Sequence, residues 1–215
     1  MGISLTWLGQ ACFQIVDDAG TTVLCDPYDP KVGYPQRSVE PDVVTISHDH
    51  FDHNYLGWVQ GSPAVWRTAG AHSAGAVKAV AVESFHDGEQ GAKRGRNLIF
   101  VIEIGGLRVC HLGDLGHELD TAAISAIGAV DVLLVPVGGF YTIDAQQAAR
   151  VCGHLNPKLI IPMHFNPDGR QTPIASVDGF AALVGAQAEG GSAISVDCDS
   201  LRERHTVILS PLPDH

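Results

Sequence analysis

Asp42-Val43-Val44-Thr45-Ile46-Ser47 runs directly into His48-Asp49-His50-Phe51-Asp52-His53. The first half is β-branched and apolar, which predicts a strand over 42–47. The second half sets three imidazoles and a carboxylate in an H-x-H-x-D-H spacing. These are the ligand types that a borderline divalent ion such as zinc prefers. On extended backbone His48, His50 and Asp52 share one side, and His53 turns the other way as the chain leaves the strand. One short turn can therefore offer two ligands to one metal and two to a neighbour. With 11 His in 215 residues, random placement gives this pattern roughly twice per thousand chains. Ligands of α/β sites also collect at strand C-termini. Both points favour a metal site over a histidine-rich surface loop.

Three more places repeat the rule of an apolar run followed by a polar side chain. Phe85-His86-Asp87 follows a run at 77–85, Leu112-Gly113-Asp114 follows 107–112, and Met163-His164 follows 159–162. Singly, each reads as a satisfied loop residue. With the first cluster they make a set of His48, His50, Asp52, His53, His86, Asp114 and His164. That number suits two divalent ions, with Asp114 bridging and positions left open for water.

Outward from these motifs, the patterning predicts strands at 4–16 and 21–25 around the turn Asp17-Asp18-Ala19-Gly20. A short helical stretch is expected after the hexapeptide, then strands near 64–68 and 77–85. Gly105-Gly106 marks a hairpin between Asn97–Ile104 and Leu107–Leu112. Helices are expected at 120–127, capped by Asp120 or Thr121, at 144–155 with an Asp144/Gln147 capping box, and at 176–188 with a Phe180, Leu183, Val184 stripe ending at Gly190-Gly191. Strands are expected at 130–137, 159–162, 193–197 and 204–209. The first half is strand-rich and the second alternates helix and strand. Stacked sheets with helices outside follow, an α/β architecture in one domain over residues 1–215. Sheet order does not follow from the pattern.

Composition narrows the function. The chain is 45% hydrophobic and 17% charged, a globular balance. No apolar run reaches the ~20 residues that span a bilayer, and the N-terminus lacks the basic start of a signal peptide. The five cysteines are scattered and form no C-x-x-C. They read as core thiols in a reducing cytoplasm. A net charge of −11 argues against nonspecific grip on nucleic acid. The one basic cluster, Lys93-Arg94-Gly95-Arg96, reads as a solvated loop or a holder of one phosphate or carboxylate. His72, His154, His205 and His215 read as ordinary surface residues. A homo-oligomer is compatible with the sequence.

The combined motifs resemble the metallo-β-lactamase-fold hydrolases. His48, His50, Asp52 and His53 match that family's H-x-H-x-D-H, His86 its third ligand to the first metal, Asp114 its bridging carboxylate and His164 the last ligand to the second metal. The resemblance covers essentially the whole chain and implies a four-layer αβ/βα sandwich with the site at one edge of the two sheets. His111 competes with His86 for the third position, but Cys110, Leu112 and Asp114 share one parity on the strand, which puts His111 on the opposite face. Asp26-Pro27-Tyr28, His111 to His117 and Pro136 to Thr142 resemble the branch related to L-ascorbate-6-phosphate lactonase.

The chemistry so implied is hydrolysis by a metal-held hydroxide, with two divalent ions, zinc ahead of manganese or iron. Asp52 would orient the nucleophile and take its proton, and His117 would protonate a leaving group or lie at the surface. Asp26 would orient a ligand imidazole or cap a turn. Tyr141 and Asn166 are weaker pocket candidates. The expected substrate is a small, anionic ester, lactone or phosphodiester. The alternatives are an RNA-processing nuclease of the same fold and a metal-binding sensor without catalysis.

Overall fold

Each candidate residue follows a strand, so strand order and direction decide which of them meet. The computed structural model describes residues 1–169, 171–188 and 190–213; His215 lies outside them. In chain order the strands are β1 Gly2–Gly9, β2 Cys12–Asp17, β3 Thr22–Cys25, β4 Val43–Thr45, β5 Ala64–Trp66, β6 Gly70–Ala74, β7 Val77–Phe85, β8 Arg96–Ile104, β9 Leu107–His111, β10 Val132–Pro136, β11 Leu159–Met163, β12 Gln187–Ala188, β13 Ala193–Asp197 and β14 His205–Ile208. The helices are α1 Thr121–Ile127, α2 Ala145–Leu155 and α3 Asp178–Val184. Two mixed sheets result, ordered β13-β1-β2-β3-β4-β5 and β12-β14-β11-β10-β9-β8-β7-β6.

Alternation along the strands explains how the sheets stack. On β3, Val23 and Cys25 join the large core between the sheets, while Leu24 belongs to a second cluster with Tyr28, Tyr34 and Trp58. Val43 and Val44 on β4 divide the same way. The first sheet is thus buried on both faces, its outer side covered by aromatic loops. On the other sheet α2 contributes Ala148, Val151, Cys152 and Leu155 to the main core. This is the αβ/βα sandwich, with loops supplying most of the layer over the smaller sheet.

Direction then brings the candidates to one end. β3 and β4 run parallel, as do β9, β10 and β11. β7 and β9 both pair antiparallel with β8, so they also share a direction. The C-termini of β4, β7, β9 and β11 therefore deliver His48–His53, His86, Asp114 and His164 to the same edge. The starts of the antiparallel strands β2 and β8 arrive there too, carrying Gln10 and Asn97.

Several expectations are corrected. The strand at 4–16 is two strands, because Gly9 (φ 118) and Gln10 (φ 53) reverse the chain and pair Gly9 with Cys12. The hexapeptide itself is turn rather than extended, so its strand parity stops at Thr45. No helix follows it among the described residues. β6 was not expected; its small residues carry little periodicity. The third helix ends early, at Gly185 in the left-handed region (φ 69), whose N–H bonds Ala181. Leu183 of the expected stripe is 54% exposed. The caps at Asp120 and the Asp144/Gln147 box are as expected.

Candidate metal centre

One oxygen sits at the middle of the cluster. Asp114 Oδ2 lies 3.3 Å from His53 Nε2, 3.3 Å from His86 Nε2, 3.3 Å from His164 Nε2 and 4.0 Å from His48 Nε2. Three sets of potential ligand atoms fall within 4.8 Å of one another: His48, His50 and His86; His48, His53 and Asp114; Asp52, His53 and His164. Within these sets the turn contributes His48 with His50 and Asp52 with His53, and His48 also groups with His53.

The buried polar atoms support a fit to cations. Among the described residues, those without a hydrogen-bond partner are Thr45 Oγ1, His53 Nε2, His86 Nδ1, Asp114 Oδ1 and His164 Nδ1. All but Thr45 belong to this cluster. A buried lone pair without a partner is costly. A divalent ion at the facing nitrogens and carboxylate oxygens would satisfy His53 Nε2 and Asp114 Oδ1.

Asp26 organises the imidazoles from behind. It is fully buried at the end of β3 with φ 46. Its Oδ2 accepts from His53 Nδ1 at 2.8 Å and from the Ser47 hydroxyl at 2.5 Å, and its Oδ1 accepts from Ser47 N at 2.7 Å. With its proton on Asp26, the Ser47 oxygen is free to accept from His48 Nδ1 at 2.9 Å. One carboxylate so orients two rings, with Nδ1 turned back to Asp26 and Ser47 and Nε2 of His53 and His48 facing inward. Of the two readings of Asp26 the imidazole-orienting one holds.

Electrostatics follow from this packing. Burial, aided by neighbouring His53, pushes His48 down to about 2, so it is neutral with its lone pair available. Burial also lowers His86. For His53 and His164 burial works against the charge, but Asp114 outweighs it and raises both. Burial of Asp114 is likewise overcome by His164 and His53, which hold its carboxyl well below the usual range.

His86 and His111 separate clearly. His111 is buried facing the other sheet, its Nε2 on the Ala11 carbonyl at 2.7 Å and its Nδ1 accepting from Gly113 N at 3.1 Å. His86 reaches the cluster. His117 does not: Nε2 accepts from Phe85 N at 3.2 Å and Nδ1 donates to the Glu118 carbonyl at 2.8 Å.

Two supports were not read from the sequence. Gln10 Nε2 donates to Asp52 Oδ2 at 3.1 Å and lies 2.8 Å from His164 Nε2. Asn97 is fully buried, accepts Asp114 N at 3.0 Å, and donates to the Leu112 carbonyl and Ser84 Oγ. Close backbone contact matters as well. A Cβ on Gly138 would lie 2.2 Å from the His164 carbonyl oxygen, so only glycine lets that loop pass. His164 itself has φ 51, a conformation bulky residues avoid, which turns its ring out of β11.

In front of the cluster lies a cavity of about 570 Å³. Its floor is Asp52, His86, Asp114 and His164, and its walls include Tyr34, Phe51, Arg94, Tyr141, Phe165 and Asn166.

Two mixed sheets with a histidine–aspartate cluster at their common edge define the class of metallo-β-lactamase-fold hydrolases. Residues 4–164 match the beta-lactamase superfamily domain, and the chain belongs to that family. Within it the chain groups with metal-dependent hydrolases. A "UPF0173 metal-dependent hydrolase" of Carboxydothermus hydrogenoformans is 27% identical, covering 96% of this chain and 100% of its own. One from Methanoculleus marisnigri is 30% identical, covering 75% and 80%. A Thermotoga maritima crystal structure, described as a candidate zinc-dependent hydrolase of the metallo-β-lactamase superfamily, is 39% identical, with TM-score 0.82 and coverage of 96% and 98%.

Proposed function

We propose that this hydrolase works as one domain with two divalent ions, zinc foremost, and cleaves a small ester, lactone or phosphodiester. The placement of Asp114 Oδ2 among the Nε2 atoms of His53, His86 and His164 carries the reading. His48, His50 and His86 would hold one ion, and Asp52, His53 and His164 the other, with Asp114 shared. When bound, such ions supply Lewis acidity and bring the pKa of water from about 16 to about 7. Asp52 is half-buried at the cavity floor, with Gln10 Nε2 steadying one oxygen, and is placed to accept the nucleophile's proton. Asp26 and Ser47 keep His53 and His48 in the tautomer that presents Nε2. Neither ring nitrogen of His117 is turned to the cavity, so leaving-group protonation is assigned to Asp52 or solvent.

The lactone in the substrate class rests on the likeness of Asp26-Pro27-Tyr28 and of His111 to His117 to the lactonase branch. A nuclease would need a basic grip, and Lys93 and Arg96 are spent on Glu89 and Glu83. Five free thiols, four of them buried, support a reducing compartment, the cytoplasm.

The test is metal analysis beside a hydrolysis screen of lactones, phosphodiesters and thioesters, using wild type and Asp52→Ala. Two ions per chain and turnover that drops about 10²–10⁴-fold in the variant are expected. The reading fails if a metal-loaded sample turns over nothing, or if the variant matches wild type.

A further inference from the structure

The three cations of Lys93-Arg94-Gly95-Arg96 meet different fates. Lys93 Nζ bonds Glu89, and Arg96 Nη1 bonds Glu83 at 2.8 Å; all four side chains are exposed. Arg94 turns the other way. It is half-buried, lines the cavity beside His50, His86 and Asp114, and is the one lysine or arginine to do so among the described residues. No carboxylate among the described residues pairs with its guanidinium. Aromatic faces hold it instead: its Cζ lies 5.4 Å from the Tyr141 ring centroid and 5.9 Å from that of Phe140. Those two rings meet edge to face at 4.7 Å.

The backbone beneath Arg94 is also fixed. The Asp87 carboxylate accepts four N–H groups, from Glu89 at 2.8 Å, Gly91 at 2.9 Å, Lys93 at 2.9 Å and Arg94 at 2.7 Å. His86 N donates to the Gly95 carbonyl at 3.0 Å, closing the loop against the metal-facing histidine. The guanidinium is thus preorganised and half-dehydrated, has no carboxylate partner among the described residues, and opens on the same cavity as Asp114. A planar fork in that state matches the two oxygens of a carboxylate or phosphate. Around it, Tyr34, Phe165 and Ile174 offer apolar wall, which fits a ligand with one charged end and an apolar body.

We propose that Arg94 selects the substrate: a small amphipathic monoanion whose carboxylate or phosphate sits on the guanidinium while its apolar body lies along Tyr34, Phe165 and Ile174. The inference rests on the hydrolase reading only for the statement that the bound molecule is then cleaved.

Binding and turnover test it separately. Titration calorimetry with phenylphosphonate, 3-phenylpropanoate and neutral 3-phenylpropanol is run on metal-loaded wild type, Arg94→Gln, Lys93→Gln and Arg96→Gln. The same proteins are assayed on mono-4-nitrophenyl glutarate and on its neutral counterpart, 4-nitrophenyl pentanoate. Arg94→Gln is expected to weaken an anionic probe about tenfold or more and to lower kcat/KM for the glutarate by a similar factor, with the pentanoate within about threefold. Lys93→Gln and Arg96→Gln should leave all of these unchanged. Preference between the two anionic probes tells a phosphate from a carboxylate ligand. Equal loss on both esters, no loss on either, or an equal effect of Lys93→Gln or Arg96→Gln overturns the proposal. So does a wild type that binds neither anion more tightly than the alcohol. Arg94-dependent binding in a protein that cleaves neither ester would uphold the anion site and count against the hydrolase reading.

Discussion

The two sheets supply the site in opposite ways. The smaller sheet gives His48, His50, Asp52 and His53 from one turn after β4, with His53 directly and His48 through Ser47 backed by a single buried carboxylate, Asp26. The larger sheet gives His86, Asp114 and His164 one at a time, from the ends of β7, β9 and β11. The first half depends on local hydrogen bonds and the second on sheet register. Asp114 joins them, since its Oδ2 is the atom near histidines of both sheets.

Removing that joint should have the largest effect. Asp114→Ala is expected to lower the metal content and to cost several kcal/mol in the transition state, about 10³-fold in kcat/KM. An unchanged metal ratio would break the description of Asp114 as shared. Next comes the support of the contiguous half. Asp26→Asn should weaken metal binding about 10–100-fold. It should do so for both ions, because Asp26 reaches His53 directly and His48 through Ser47; loss of one ion alone would separate the two imidazoles.

The support of the scattered half is Asn97. Asn97→Ala strips a buried acceptor from Asp114 N and a donor from the Leu112 carbonyl, which should cost about 1–3 kcal/mol in a denaturant titration. Gly138→Ala should cost about 1–3 kcal/mol by displacing His164, and it should weaken only the ion held with Asp52 and His53. The smallest change is a control remote from both halves. Gly153 sits inside α2 with nothing within 4 Å of a built Cβ. Gly153→Ala should raise stability by about 0.5–1 kcal/mol and leave kcat/KM alone.

This contrast also explains what the sequence revealed. A run such as His48–His53 is visible because its residues are adjacent. His86, Asp114 and His164 are visible because each follows an apolar strand, and parallel strands carry their C-termini to one edge. The same rule hides Gln10 and Asn97. They stand at the starts of strands that run antiparallel to their neighbours, so they reach that edge from the opposite direction, and the strand-then-ligand pattern passes over them. Arg94 was seen only as one member of a basic cluster. Its separation from Lys93 and Arg96 comes from the Asp87 loop and from Phe140 and Tyr141, contacts that cross between distant segments. The hairpin hidden in 4–16 was missed because hydrophobic alternation continues on both sides of Gly9-Gln10. The overlong third helix reflects Gly185, whose left-handed backbone ends the helix inside the expected span while the apolar residues give no sign of the stop.

The contact between Gln10 and His164 spans 154 residues of sequence. It links the β1–β2 hairpin to the end of β11, a central strand of the larger sheet. Chain closure over such a distance is slow and comes late. A nascent chain that has emerged only as far as β10 would hold the whole hexapeptide, His86 and Asp114, but neither His164 nor the seal it forms with Gln10. On the proposed function, the set of Asp52, His53 and His164 is complete only once β11 has joined the larger sheet, so assembly of the site follows assembly of that sheet.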